Sequence, residues 1–308
     1  MLKKSVMSLA QKVVDRGVQA RIDELRFSVG AMETRLGRLL PEPQHLRDAE
    51  FKVFSQWGED GILQHLVSRL SPPDVFIEIG VGDYSESNTR FLAMKDNWRG
   101  VILDGGTAHI DFLRRSEMAW RWSITPVSAF VTAENIDDLI LQSDIKGDIG
   151  VLSIDIDGVD YWVWRAISVV SPWIVVIEYN SAFGPDKAVT VPYRSDFMAS
   201  RAHHTGLFLG ASLPALHHLG AQLGYRLAGV GSNGVNAFFV RDDVAGDLWN
   251  LTPEAAFVPS RVRIARDVDG ELSYTGDDHA RLLYSMRDLE LYLVQERRNA
   301  SVAEAFMI

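Results

Sequence analysis

The chain has 308 residues, 47% of them hydrophobic and 23% charged, the balance of a folded globular protein of one large domain or two modest ones. That composition excludes extensive disorder, no apolar run approaches the ~18 residues of a membrane span, and the absence of cysteine removes disulfides, thiolate metal sites and a cysteine nucleophile. The net charge of −10 is uneven: residues 1–40 carry eight Lys or Arg against four Asp or Glu, which leaves the remainder at −14, an acidic body unsuited to binding nucleic-acid phosphates.

Residues 1–43 form an arm, and 44–308 a body. In the arm, Ile22, Leu25, Val29, Met32, Leu36 and Leu39 recur at steps of three and four, a heptad seam. Upstream, Leu2, Val6, Leu9 and Val13 repeat the pattern, with a slip near Gly17. Pro41 and Pro43 end the helix. Three readings stand: a coiled coil that makes a homo-oligomer, a helix lying on its own body, or a basic helix in peripheral contact with an anionic membrane. Gln11 and Lys12 break the first apolar stretch, so it does not read as a secretory leader, and the expected location is cytoplasmic.

From about Phe54 the chain alternates between strand and helix patterns. Strands are expected at 75–80, 100–106, 123–127, 149–158 and 173–180, with helices at 134–143, 160–170 and 213–225. Residues 225–243 read as two strands around a Gly/Asn turn, and about 277–298 as a C-terminal helix. The expected fold is α/β: a mostly parallel sheet with helices on both faces and an antiparallel last strand.

The strand at 75–80 runs directly into Gly80-Val81-Gly82. In open parallel sheets ligands bind beyond the carboxyl ends of the strands, where glycine lets them approach the backbone. Asp104 ends the next strand, 24 residues after Gly80, where a carboxylate grips a ribose diol. The third glycine of a dinucleotide fingerprint is missing, since position 85 is Ser, which argues against NAD or FAD. Gly229, Gly231 and Gly234 match that spacing in text only, because a strand follows them and supplies no helix N-terminus for a phosphate.

The strings FIEIGVG and VILDGG resemble motifs I and II of class I S-adenosylmethionine-dependent methyltransferases. FSQWGEDGIL, IEIGVGDYSESNT, FVTAENIDDLI, SIDIDGVDYWVW, VVIEYNSAFGP, GASLPALHHL and GVNAFFVRDD, in this order from Phe54 to Asp243, together resemble the FkbM-like members. The resemblance implies a Rossmann-like seven-stranded sheet and S-adenosylmethionine as cofactor. Glu78, Gly80 and Gly82 would cradle its methionine part, Asp104 its ribose, and the turn at Ser128, Ala129 and Phe130 its adenine. Asp155 would face the sulfonium or the acceptor, with Gln56, Asn88 and Thr89 assisting. It also implies methyl transfer to a hydroxyl, with a saccharide acceptor favoured and macrolide, lipid or protein acceptors left open.

A second constellation joins Asp155, Asp157 and Asp160 to Glu178 and Asn180. Three such oxygen ligands suit Mg²⁺ or Mn²⁺, which would orient a sugar diol and ease deprotonation; Asp157, Asp160 and Glu178 are the candidate ligands. The alternative is that Asp157 and Asp160 cap the next helix and Glu178 pairs with a base. Without a metal, the candidate general bases are His203, His204, Asp155 and Asp157. Among the aromatic residues near these strands, Tyr193 is the candidate substrate contact, beside Asn180. Two other classes remain: a nucleotide-sugar glycosyltransferase using Asp155-Ile156-Asp157, and a methyltransferase-like scaffold without catalysis.

Overall fold

The computed structural model describes residues 2–262, 265–273 and 279–308, with side chains at Val18 and from residue 21 onward. Helix α1 (Leu2–Gly37) forms the arm, and α2 (Glu59–Leu70) opens the body. There follow β1 (Val75–Ile79), α3 (Arg90–Asp96), β2 (Arg99–Asp104), α4 (Thr107–Arg115), α5 (Glu117–Arg121), β3 (Ile124–Ser128) and α6 (Ile136–Leu141). Next come β4 (Gly147–Ile154), α7 (Asp160–Ala166), β5 (Val170–Glu178), β6 (Val189–Thr190), α8 (Ala199–Ala202) and α9 (Leu213–Leu223). The chain closes with β7 (Tyr225–Val230), β8 (Asn236–Arg241), α10 (Pro253–Ala256), α11 (His279–Ser285), β9 (Glu290–Leu293), β10 (Arg298–Ser301) and α12 (Val302–Phe306).

Seven strands make one sheet in the order β3-β2-β1-β4-β5-β8-β7. The first five are parallel, and β8 runs antiparallel to both β5 and β7. This is the class I methyltransferase-like Rossmann arrangement. The order reverses between β1 and β4, where an open α/β sheet leaves a crevice for ligand.

The central strands alternate between two cores. Ile77, Leu152, Ile154, Val175 and Ile177 face one side with Trp164 and Leu216. Phe76, Val151, Ile174 and Val176 face the other, against Ile62, Leu66 and Leu113. Strands buried on both faces become near-continuous apolar runs, which is why the sequence displays them so clearly. Helix α9 shows how local signals set boundaries: the Ser212 side chain accepts from the Ala215 amide, Pro214 sits in the first turn, and Gly224 ends the helix at φ 83°.

Two sequence expectations need correction. The run at 160–170 is helical only to Ala166, and β5 already begins at Val170. The C-terminal helix expected at about 277–298 is a short α11 followed by a hairpin; residues 277 and 278 lie outside the described residues. Leu291 and Leu293 point inward at a spacing of two, and β9 pairs with β10 and β6 in a small second sheet. The sequence reading held no counterpart of that sheet.

Candidate active site

The site begins at the tips of β1, β2 and β4. Gly80 has φ 85°, and a Cβ there would lie 1.5 Å from the Asp155 carbonyl oxygen, so no other residue fits between these strand ends. Gly82 also has a positive φ, 53°, and nothing lies within 4 Å of where its Cβ would be. The Gly82 amide donates to Asp104 Oδ2 at 2.8 Å, and the Gly106 amide to Oδ1 at 2.6 Å. A carboxylate can accept about four hydrogen bonds, so Asp104 retains acceptor capacity beyond these two. Beside it Ser128 Oγ donates to Thr107 Oγ1 at 3.2 Å, and the Ala129 amide donates to the Asp104 carbonyl. The Phe130 ring is half-exposed and close to Gly105.

Glu78 is turned into the protein. Its carboxylate accepts from Ser87 Oγ and the Asn88 amide, both at 2.7 Å, from the Thr89 amide at 3.1 Å and from Thr89 Oγ1. Burial pushes its pKa up, and these hydrogen bonds oppose the shift. Asn88 Nδ2 donates to Ser153 Oγ at 3.0 Å. Glu78, Asn88 and Thr89 therefore shape the turn that carries Gly80 and Gly82, and their side chains bond to one another and to Ser87 and Ser153. Gln56 reaches the crevice from a loop that the sequence reading had not explained. Asp60 Oδ2 accepts from the amides of Val53, Phe54 and Ser55 at 2.7–2.8 Å, and Glu59 Oε2 accepts from the amides of Trp57 and Gly58. Two buried carboxylates thus bend the string FSQWGED around Gln56.

The acidic constellation forms at the tips of β4 and β5, with a changed membership. One oxygen each from Asp155, Asp157 and Glu178 lie within 4.8 Å of one another. Glu178 Oε2 is buried without a hydrogen-bond partner. Burial, then mutual repulsion, drives the Asp155 and Glu178 carboxyls well above their ordinary range, and burial raises Asp157. Asp157 holds a left-handed backbone at φ 52°, costly for a residue with a Cβ. Asp160 is not a member. Its Oδ1 accepts from the Ile156 amide at 2.8 Å and its Oδ2 from the Gly158 amide at 3.0 Å, so it ties down the loop before α7.

A cavity of about 880 Å³ runs from this point. Gln56, Gly80, Asp155, Asp157, Glu178 and Asn180 line it, together with Phe257, Pro259, Arg261 and His279. Asn180 already uses its amide: Nδ2 donates to the carbonyls of Leu207 and Leu209 at 2.8 and 2.9 Å, and Oδ1 accepts from the Ala182 amide. The remaining candidates do not converge here. His203 Nδ1 lies 2.9 Å from Thr205 Oγ1, and burial lowers its pKa. His204 is exposed and stacks beside it at 4.0 Å between rings. Tyr193 packs on Trp162, its hydroxyl accepting from the Ala133 amide and donating to Glu134. Among the described residues, neither histidine nor Tyr193 lines the cavity. At the Gly229–Gly234 turn the Ser232 amide and hydroxyl donate to the Glu50 carboxylate, so a side chain already occupies that anion position.

No family model and no curated protein matches the sequence. Among solved structures, the chain is similar to an O-methyltransferase from Bacillus cereus in complex with SAH, at 16% identity over 68% of this chain and 95% of that one, TM-score 0.39. It is also similar to a putative caffeoyl-CoA O-methyltransferase from Staphylococcus aureus, at 11% identity over 74% and 99%, TM-score 0.40. A third is the N-terminal domain of EvdMO1 with SAH bound, at 11% identity over 68% and 94%, TM-score 0.38. Among the described residues, no helix is long and apolar enough to cross a membrane.

Proposed function

We propose that the chain is an S-adenosylmethionine-dependent O-methyltransferase acting on a saccharide hydroxyl. One observation carries the reading: at the neighbouring tips of β1 and β2, Asp104, with acceptor capacity to spare, is joined to the Gly82 amide, and nothing lies within 4 Å of where a Gly82 Cβ would be. A carboxylate there suits a ribose diol, and the bare glycine backbone leaves room for an amino-acid head. Phe130 offers a flat apolar face beside Gly105 for a base. A cation such as the sulfonium would favour the ionised form of the Asp155 carboxyl, which burial and the neighbouring acids oppose. When bound, the cofactor supplies an activated methyl group. The acceptor oxygen forms the new bond as the sulfur–methyl bond breaks, and the chain aligns the two and excludes water.

The acceptor lies in the cavity beyond Asp155. The donor set of Asp155, Asp157 and Glu178, with its unpartnered buried oxygen, fits a hard divalent cation such as Mg²⁺ or Mn²⁺. These residues would hold the ion, which would orient two sugar oxygens and lower the pKa of one hydroxyl. Asp157, the most exposed of the three, is the residue positioned to take the hydroxyl proton or pass it to solvent.

The test is methyl transfer from labelled S-adenosylmethionine to a panel of saccharides. An alkali-stable methyl ether is expected. Label recovered only as a base-labile ester or an N-methyl group would contradict O-transfer to a sugar.

A further inference from the structure

Helix α1 is fastened to the body along one face. Asp23 meets Arg90 at 3.5 Å, the Phe27 ring stands edge-on to Phe91 at 5.8 Å, and Thr34 is buried. Gly30 comes so close that a Cβ there would lie 2.3 Å from Val53 Cγ2. The heptad seam lies elsewhere on the helix: Ile22, Leu25, Val29, Met32 and Leu36 are 38–67% exposed. At about 100° per residue, the two stripes stand roughly 150° apart. A helix that needed only its own body would be polar on that outer side. Five large apolar side chains at steps of three and four instead make a surface for another helix.

The charges flanking the seam identify that helix and its direction. With Ile22, Val29 and Leu36 at a and Leu25 and Met32 at d, the e positions are Arg26 and Glu33 and the g positions Arg21, Ser28 and Arg35. Antiparallel pairing sets e beside e, so Arg26 of each copy meets Glu33 of the other, and Ser28 falls beside Arg35. Parallel pairing would set Arg21 beside Arg26, two like charges. Arg26 and Glu33 are both exposed, and among the described residues neither has an ion-pair partner within its own chain.

We propose that α1 pairs antiparallel with α1 of a second copy of this chain. A twofold axis passes between Val29 and Met32, and two Arg26–Glu33 pairs flank the seam. The arrangement is isologous, so it closes as a dimer with the two bodies on its outer sides. It stands independently of the proposed chemistry.

The test is sedimentation equilibrium on the full chain at micromolar concentration. The wild type is expected to show twice the chain mass, and Leu25→Glu with Met32→Glu to give a monomer whose circular dichroism shows an intact body. Arg26→Glu alone is expected to weaken the dimer roughly ten-fold, and Arg26→Glu with Glu33→Arg to restore it. Three results would overturn the proposal: a monomeric wild type, a dimer that tightens on Arg26→Glu as parallel pairing requires, or a monomer that co-sediments with phosphatidylserine vesicles through the same seam.

Discussion

The Gly82 amide reaches Asp104 Oδ2 at 2.8 Å, so the turn after β1 and the tip of β2 share one carboxylate. Asp104→Ala removes both this brace and the ribose contacts proposed for the carboxylate. Losing hydrogen bonds to a charged acceptor should cost about 2–4 kcal/mol of S-adenosylhomocysteine affinity, roughly 30- to 1,000-fold. Calorimetric titration of the variant measures it, and unchanged affinity would remove Asp104 from the site.

The two glycines should separate stability from binding. At Gly80 a methyl group would enter the Asp155 carbonyl, so Gly80→Ala is expected to destabilise the protein by at least about 3 kcal/mol in urea denaturation. At Gly82 the methyl would meet open space, and Gly82→Ala should cost only about 1–2 kcal/mol for its left-handed backbone. If the cofactor lies against Gly82 as proposed, the methyl would intrude on it, and S-adenosylhomocysteine affinity should fall.

The three converging carboxylates make a thermal-shift test of the metal. Mn²⁺ should raise the melting temperature of the wild type, with ~2.7 kcal/mol gained at a hundred-fold excess over Kd. Glu178→Gln should abolish that rise. Asp160→Asn should keep it while losing about 1–2 kcal/mol of stability, because the Asp160 oxygens serve the amides of Ile156 and Gly158. Asp157→Ala should spare S-adenosylhomocysteine binding and abolish methyl transfer.

Glu78→Gln is expected to lower stability by about 2–4 kcal/mol. The new amide group would face donors from Ser87, Asn88 and Thr89 and leave buried groups unmatched. Chemical denaturation checks the loss. A variant as stable as the wild type would show that Glu78 does not hold the glycine turn.

The layered fold and the strand tips were legible in the sequence because buried parallel strands are continuous apolar runs, and Gly80, Asp104 and Asp155 each end one. Side-chain direction was less legible. Glu78 lies between Ile77 and Ile79 and Asp160 between Val159 and Tyr161, and only the folded turns show that backbone amides claim their oxygens. Tyr193, His203 and His204 follow β5 in sequence, yet the chain carries them away from the cavity to pack on Trp162 and Thr205. The C-terminal hairpin escaped because β9 and β10 are four residues each, too short for a period of two to stand out. The heptad of α1 was plain, but which side of that helix the body covers depends on Phe91 and Val53, distant in sequence.

The most direct test of the central claim is titration of S-adenosylhomocysteine into the purified protein by calorimetry, with and without Mg²⁺, alongside Asp104→Ala. The account predicts micromolar binding by the wild type and its loss in the variant. No binding under either condition, by a protein shown to be folded, would contradict it.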